Sequence, residues 1–373
     1  MKLGIGMLSL NKQQNSKSTE KDPERILVVK LYAIGDFIMS LPGLAFLRRR
    51  NPDAEIHLLT GSIIAPLARC SAPVNKIIQV NEKHFTERHR SLSLVPLISR
   101  LRKQRYTRAY LLHRVLPLRL FLLATGARDR IGQGNSKMGL TDTVPFETGR
   151  TEHDAERYAR LFGWTGSELL PESFASIPEY PSDSPIASAI DSRPIAVSPG
   201  GGKSSIRDMN WKRWPAQRFR ELIDLLHGEN INTVVLGSRE DRNVIGDVLD
   251  NLPHTSTDLV GRTSLVDVAA ILSGCRMLIT NDSSLMHIAG LVSTPSIALF
   301  GPTDPSRIGI YPPSPYHRNL ISDGTPCRPC HPDRGIKGCE TAECMFSISL
   351  ESVWEETRKL LRETETQRHS VSD

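Results

Sequence analysis

Four segments of this 373-residue chain place charged or hydroxyl side chains beside small residues, directly after or near an apolar run. The first is Gly35-Asp36, which follows the apolar run 26–31. A carboxylate on such a turn lies at the carboxyl edge of a parallel sheet, where open α/β folds bind ligands. The alternative is that Asp36 caps the helix that follows, a common use of Asp.

The second segment is glycine-rich and runs from Ser198 to Ser205. Gly200, Gly201 and Gly202 allow backbone N–H groups to approach an anion closely. The triplet that begins at Gly202 resembles the end of a phosphate-binding P-loop, but that motif requires glycine at position 197, which is Val. The sequence therefore argues against an ATPase, and a loop without a ligand remains the alternative.

The third segment, 211–215, has the sequence WKRWP and stands just before a helix, with Pro215 suited to the first turn. Lys212 is then near the cleft, where an ammonium group neutralises a leaving phosphate. An ordinary surface lysine is the alternative interpretation.

The fourth segment begins at Asp282 and follows a predicted strand. Ser283, Ser284 and Leu285 open the next helix, whose free N–H groups and dipole favour a phosphate. A plain capping box is the alternative, which is weaker because no Glu or Gln stands at the required place. His287 lies inside this helix, either as a ligand contact or as a packed side chain.

The cysteines raise a separate question about metal. The last four form a C-x2-C-x8-C-x4-C pattern: Cys327, Cys330, Cys339 and Cys344. Clustered thiols in a cytoplasmic protein favour metal over disulfides, but the inner spacing is shorter than in common zinc modules. A structural zinc site and reduced, unligated thiols are both open.

Alternating strands and helices position these segments in two βαβ arrays, which predict an α/β protein with two doubly wound domains. The first helix is predicted over 37–50, another begins at Glu240, and a last one covers about 350–362. The predicted division is a flexible tail 1–24, a domain 25–170, a proline-rich linker 171–194, a domain 195–348, and a helix with tail 349–373. A cleft is expected between the domains, at the carboxyl ends of both sheets.

Charge is unevenly distributed along the chain. The net charge is +6, yet the stretch 82–130 contains twelve Lys and Arg against three acidic residues. This concentration predicts one basic face for an anionic partner, or else a solvated arginine-rich helix. No apolar run approaches the roughly 20 residues that span a bilayer, and the N-terminus lacks a signal-peptide pattern, which indicates a cytoplasmic protein.

Three of these stretches together resemble family 9 glycosyltransferases, the heptosyltransferases of the lipopolysaccharide inner core. The segments are 26–60 (ILVVKLYAIGDFIMSLPGLAFLRRRNPDAEIHLLT), the pair SPGGG and WKRWPAQRF within 198–219, and 280–305 (TNDSSLMHIAGLVSTPSIALFGPTDP). The resemblance covers roughly residues 25–355 and implies the GT-B fold, in which two Rossmann-like domains face a central cleft. The chain departs from the family's usual pattern at Ile38-Met39-Ser40 and at Ser284.

The resemblance implies a role for each matched residue. Asp36 would be the general base for the acceptor hydroxyl, and Lys212 with Gly200–Gly202 would face the donor diphosphate. Asp282 would contact the donor, the backbone around Ser283–Leu285 its phosphates, and Glu240 its ribose. The implied reaction is inverting transfer of heptose from ADP-heptose to a lipopolysaccharide core acceptor, without a metal or other cofactor.

The same resemblance assigns the acceptor to the N-terminal domain. The acceptor would be an anionic glycolipid at the inner face of the cytoplasmic membrane, bound by Arg100, Arg102 and Arg105 of the basic stretch. Two alternatives stay open: a related transferase that uses another nucleotide sugar, such as an N-acetylhexosamine, and a non-catalytic polyanion binder. A nucleic-acid partner is not expected, because the basic stretch lacks interleaved aromatic residues and any known binding motif.

Overall fold

The computed structural model describes residues 23–86, 93–145, 152–172, 175–178, 180–181, 183–201, 209–250, 252–322, 324–330, 339 and 341–372. Within these ranges the chain forms two six-stranded sheets in which every paired strand is parallel. The predicted α/β architecture with two Rossmann-like domains is confirmed.

The first domain contains strands β1 (Arg25–Lys30), β2 (Glu55–Gly61), β3 (Lys76–Val80), β4 (Arg108–Leu111), β5 (Asp129–Gln133) and β6 (Asp142–Val144). Its helices are α1 (Ile34–Arg50), α2 (Ala65–Ser71), α3 (Lys83–Thr86), α4 (Val95–Arg102), α5 (Leu116–Ala124) and α6 (Asp154–Leu161). The strand order is β3-β2-β1-β4-β5-β6.

The second domain contains strands β7 (Ile195–Ser198), β8 (Thr233–Val235), β9 (Ser256–Asp258), β10 (Met277–Asn281), β11 (Ser296–Phe300) and β12 (His317–Ile321). Its helices are α7 (Pro185–Ile190), α8 (Ala216–Gly228), α9 (Gly246–Leu249), α10 (Leu265–Gly274), α11 (Ser284–Leu291), α12 (Pro305–Ile308), α13 (Glu343–Phe346) and α14 (Leu350–Ser372). The order β12-β11-β10-β7-β8-β9 repeats that of the first sheet, counted from the domain's own first strand.

This shared order places a topological switch point in each sheet, between β1 and β4 and between β7 and β10. Connections leave the two strands at a switch point toward opposite faces, which opens a crevice at their carboxyl ends. Asp36 follows β1, the glycine-rich segment follows β7, and Asp282 follows β10. Three of the four predicted segments therefore flank the two crevices.

The central strands are buried on both faces, which explains their continuous apolar sequence. All residues of β10 are buried, and in β1 only Arg25 at its start is partly exposed. Helices cover both faces of a sheet in this architecture, so alternation of apolar and polar residues is not required. Among the buried residues of β1, only Lys30 is not apolar, and its side chain is 1% exposed.

Several element boundaries differ from the prediction. Helix α1 begins at residue 34 rather than 37, and Ala33 at its N-cap has φ of 66°. The helix predicted from Glu240 is instead a 3-10 turn over Asp241–Asn243, followed by the four-residue α9. The proline-rich segment 171–194 contains α7, which packs on α10 where Ile190 meets Gly274.

The two ends of the chain also differ from the prediction. Helix α14 extends ten residues beyond the predicted end at 362. Val353, Leu360 and Leu361 belong to the second domain's core, so the helix is an integral part of it. At the other end, residues 1–22 of the predicted flexible tail lie outside the described residues, whereas Glu24 is bound by Arg108 at 2.6 Å.

The two domains pack together through α1 and α11. A Cβ at Gly35 would lie 2.8 Å from Cδ2 of His287, and the remaining gap is a cavity of about 20 Å³ lined by Ile38, Met39, Pro42 and His287, among others. A second contact lies at α6, where His153 Nε2 donates to the Gly309 carbonyl at 3.1 Å. Among the described helices, none has the length and apolar character that crossing a bilayer demands.

Candidate functional site

Asp36 lies in the first turn of α1, directly after the short connection from β1 to this helix. It does not cap the helix, because the N-cap position belongs to Ala33. The left-handed backbone of Ala33 is uncommon for a residue with a Cβ, and such strain is concentrated at functional sites. The carboxylate accepts a hydrogen bond from Lys30 Nζ at 3.1 Å, and its side chain remains 42% exposed toward the cleft.

The surroundings of Asp36 keep it ionised. Burial in the cleft acts to raise the pKa of this carboxyl, but the ammonium group of Lys30 and hydrogen bonds from Lys30 and Tyr158 outweigh burial, so the pKa is lowered overall. Burial lowers the pKa of Lys30, and the charge of Asp36 acts against this. An ionised carboxylate that is open to the cleft has the form that a general base requires.

Across the cleft, the loop after β7 is held open by hydrogen bonds to its backbone. Asn281 Nδ2 donates to the carbonyls of Pro199 and Gly200 at 2.9 and 3.0 Å, while Gly201 N–H donates to Asp241 Oδ1 at 2.9 Å. Gly201 has φ of 92°, and a Cβ there would approach the side chain of Ser283 to 3.0 Å. The loop therefore lies directly against the start of α11.

Lys212 and Asp282 form a buried ion pair beside that loop. Lys212 Nζ lies 2.6 Å from Asp282 Oδ2, and the two side chains are 9% and 6% exposed. Thr303, on the turn after β11, donates its hydroxyl to the same oxygen at 2.7 Å. The structure thus brings together two residues that lie 70 positions apart and that the sequence assigned to one ligand.

The N-terminus of α11 completes this half of the site. Ser283 is its N-cap, and its hydroxyl accepts from the Leu285 N–H at 3.3 Å without a reciprocal capping box. The first turn therefore presents backbone N–H groups next to Gly201 and the Lys212–Asp282 pair. A helix dipole, a glycine loop and an ammonium group at one place have the chemistry that binding a diphosphate requires.

His287, one turn further along α11, is packed at the domain interface. It is 6% exposed, and burial lowers its pKa to about 4 despite the nearby charges of Asp282 and Asp36. The imidazole is therefore neutral at pH 7. The structure therefore matches the alternative of a packed side chain, and a contact between His287 and the donor stays a prediction.

Five residues of this constellation were not singled out from the sequence: Lys30, Tyr158, Asp241, Asn281 and Thr303. For Lys30 a signal exists, because a lysine inside an apolar strand is rarely buried without a partner. Asp241 stands beside the predicted Glu240, but a 3-10 turn directs Asp241 toward the loop and leaves Glu240 exposed. The contacts of Asn281 and Thr303 depend on neighbouring strands and have no local signal.

Two further predictions have different outcomes. Gly202 lies outside the described residues. Arg100 and Arg102 lie in the last turn of α4, and Arg105 lies between α4 and β4. Next to Arg105, the Gln104 carbonyl accepts from Arg25, the first residue of β1, at 3.2 Å. This is the amino edge of the sheet, opposite Asp36, so the structure does not bring these three arginines to the cleft.

Basic residues from other elements lie around Asp154, which is near enough to Asp36 for the charge of Asp36 to act on it. Asp154 begins α6 and pairs with Arg157 at 2.5 Å, and the charges of Arg114 and Arg307 also act on it. Burial nevertheless raises the pKa of Asp154 to about 6. Its Oδ1 atom is buried and accepts no hydrogen bond within the described structure.

The four C-terminal cysteines lie beside the turn that contains Thr303. Cys330 N–H donates to the Pro302 carbonyl at 3.0 Å, and burial together with the neighbouring thiols raises the pKa of Cys330 and of Cys344. Among the described residues, no group of three or more His, Cys, Asp or Glu is arranged to hold a metal ion. The zinc site therefore stays a prediction, and so does the alternative of unligated thiols.

We expect stability to fall as pH is lowered from about 6.5, because burial lowers the pKa of four histidines: His113 well below its usual value, and His153, His287 and His317 to about 4 each. In this window the unfolded chain binds protons that the folded chain does not, at about 1.4 kcal/mol per proton and pH unit. The raised pKa of Asp154 opposes this below about pH 6, which leaves about three protons net near pH 5. Urea unfolding between pH 7 and 5 measures the slope.

A single histidine variant tests this linkage. His317→Gln should reduce the slope by about one proton, because glutamine does not titrate. Its amide can keep the hydrogen bond with Ser296 Oγ, which lies 3.0 Å from His317 Nδ1. The exposed His254→Gln serves as the control and should leave the slope unchanged. An unchanged slope in His317→Gln would contradict the assignment.

Comparison with known proteins adds to this geometry. The family model described as glycosyltransferase family 9 (heptosyltransferase) matches residues 94–339, which is more than half of the chain. Lipopolysaccharide heptosyltransferase 2 of Escherichia coli is 28% identical over 302 residues, covering 75% of this chain and 84% of that protein.

Two further similarities span most of the chain. Lipopolysaccharide heptosyltransferase 1 of Pseudomonas aeruginosa is 26% identical over 322 residues, covering 82% of this chain and 86% of that protein. The solved structure described as E. coli ADP-heptose lps heptosyltransferase II has a TM-score of 0.70 at 25% identity, and the match covers 92% of this chain and 99% of that one.

Proposed function

Because the chain belongs to glycosyltransferase family 9, we propose that this glycosyltransferase moves a heptose from ADP-heptose to a lipopolysaccharide core acceptor. The observation that carries the proposal is the pairing of two half-sites across one cleft. An ionised carboxylate, Asp36, faces a glycine loop, a buried lysine and a helix N-terminus on the other domain.

The proposed reaction follows from this arrangement. Asp36 removes a proton from the acceptor hydroxyl, whose oxygen attacks the anomeric carbon from the face opposite the leaving group and inverts its configuration. The C–O bond to the diphosphate breaks, and Lys212 and the first N–H groups of α11 stabilise the charge that develops on the nucleotide. Thr303 and Asp282 hold Lys212 in place.

The donor nucleotide is tested by thermal shift. At a concentration of about 100 Kd, a ligand that binds only the folded protein stabilises it by about 2.7 kcal/mol. We expect ADP to raise the melting temperature more than UDP, GDP or CMP. A larger shift with UDP would favour the alternative, a family 9 transferase that uses an N-acetylhexosamine donor, and an assay with UDP-N-acetylhexosamine would then identify the reaction.

Metal independence is a further expected outcome. The charge of the leaving diphosphate is balanced by Lys212 and the α11 dipole, so transfer should continue in the presence of EDTA. The transfer rate with EDTA, with and without added Mg²⁺ or Mn²⁺, measures this. Activity that is lost and then restored by either cation would contradict the proposal. Slow unfolding of the protein in EDTA would instead indicate zinc at the four cysteines.

The proposed acceptor is an anionic glycolipid at the inner face of the cytoplasmic membrane. Arg114, Arg157 and Arg307 replace Arg100, Arg102 and Arg105 as the basic groups that bear on the cleft, since their charges act on Asp154 near Asp36. A non-catalytic polyanion binder is disfavoured, because such a protein has no use for a base opposite a diphosphate site.

A further inference from the structure

Helix α5 is apolar on its exposed face as well as on its buried one. Leu118, Phe121 and Leu122 pack into the first domain's core. The other face exposes Leu116, Leu120 and Leu123, each by 46% to 48%, and Val115 just before the helix by 43%. The spacing i, i+4, i+7 aligns the leucines along one side, and we call these four residues the α5 stripe.

The only charged residue of this helix does not interrupt the stripe. Arg119 is 8% exposed and turned inward, where its guanidinium donates to the carbonyls of Ser136 and Gln133, both at 2.8 Å. Met138, in the loop that adjoins Arg119, adds another apolar side chain that is 58% exposed. A helix that is apolar all round belongs in a protein core or in contact with lipid.

Basic residues border the stripe. Arg102 donates to the Ala124 carbonyl at the last residue of α5, at 3.3 Å. Arg128 and Lys137 are 75% and 66% exposed; each faces one aspartate, but the stretch 82–130 as a whole keeps its large basic excess. Exposed apolar side chains with a basic border have the chemistry of a surface that binds anionic lipid headgroups.

The α5 stripe begins at the same edge of the sheet as the cleft. Helix α5 follows β4, so its first turn lies at the carboxyl edge of the sheet, as Asp36 does. Arg114, directly before the stripe, is close enough to Asp36 and Asp154 for their charges to act on it, although burial and Arg157 lower its pKa overall. The stripe therefore begins at the mouth of the cleft.

We propose that the α5 stripe docks on an anionic lipid surface and thereby holds the mouth of the cleft at the membrane. A glycolipid acceptor would then present its sugar to Asp36 while its acyl chains stay in the bilayer. That last statement rests on the proposed function, whereas the docking itself rests only on the stripe and its basic border.

The test is sedimentation with vesicles of phosphatidylcholine that contain about one-quarter phosphatidylglycerol, without donor or glycolipid acceptor. The full chain should bind these vesicles, and binding should weaken with added salt and on pure phosphatidylcholine. The triple variant Leu116→Ser, Leu120→Ser, Leu123→Ser should bind about tenfold more weakly or worse. The matched control changes three exposed apolar residues of the second domain, Leu225→Ser, Val244→Ser and Ile321→Ser, and should bind as the wild type does.

Two further arms separate the possible outcomes. Transfer to a lipid-free, water-soluble acceptor fragment should be unchanged in the stripe variant, which shows that the variant is folded; if neither protein transfers but vesicle binding still depends on the stripe, the proposed function fails and the docking stands. Sedimentation velocity without lipid tests whether the stripe instead joins two copies of the chain. Equal vesicle binding by wild type and stripe variant, or a dimer that only the stripe variant loses, would overturn the proposal.

Discussion

Asp36→Asn should lower the rate of transfer about 100-fold or more, which corresponds to about 2.7 kcal/mol of transition-state stabilisation. The amide keeps the size of the side chain and can still accept a hydrogen bond from Lys30, but it cannot take up the proton of the acceptor hydroxyl. Donor affinity should change little, because the diphosphate site lies on the other domain. Steady-state rates and a donor titration measure both quantities.

Glu55→Gln provides a matched control for this prediction. Glu55 is also a partly exposed carboxylate in an ion pair, with Arg25 at 2.8 Å, but it lies at the amino edge of the same sheet. The Glu55→Gln variant should retain wild-type turnover. Near-normal turnover in Asp36→Asn would remove this residue from the mechanism.

Lys212→Met should reduce transfer about 100-fold or more and also destabilise the protein by about 3–5 kcal/mol. The methionine fills similar space, but Asp282 then keeps a buried charge without its ammonium partner. Among the described residues, Thr303 remains as a side-chain hydrogen-bond donor to Asp282. Because both effects follow from one substitution, the double variant Lys212→Met, Asp282→Asn is needed to separate them. It should regain much of the stability and little of the activity.

The comparison pair for this experiment is Arg242 and Asp258, 2.7 Å apart and more exposed, in the same domain. Arg242→Met should cost no more than about 1 kcal/mol, as exposed pairs usually do. If the double variant recovered wild-type transfer, Lys212 would be structural only. Urea unfolding and initial rates should be measured on four proteins: the wild type, Lys212→Met, the double variant and Arg242→Met.

The sequence predicted the fold because the relevant signals are local. Buried parallel strands show as apolar runs, and helices and turns follow them at regular spacing, so both domains and the edges that carry Asp36 and Asp282 were predictable. Boundaries that depend on backbone geometry were not. The left-handed Ala33 starts α1 three residues early, and the 3-10 turn at Asp241 replaces a predicted helix.

The contacts within the site could not be predicted from short stretches of sequence. The partners Lys212 and Asp282, or Asn281 and Gly200, lie 70 or more residues apart and meet only after β7 and β10 pair. The basic stretch shows the opposite case, in which charge was predicted correctly but its place was not. The last turn of a helix and the loop to the next parallel strand lie at the amino edge of a sheet, so Arg100, Arg102 and Arg105 lie away from the cleft.

Helix α11 serves both domains at once. Its first turn faces the proposed diphosphate site, and further along it His287 and Gly290 border the gap of about 20 Å³ against α1. A rigid helix of eight residues cannot shift at one end and stay fixed at the other. Occupancy of the nucleotide site and the angle between the domains are therefore thermodynamically linked, and the linkage is reciprocal. If donor binding favours the closed seam between α11 and α1 by some factor, the closed seam must favour donor binding by that same factor.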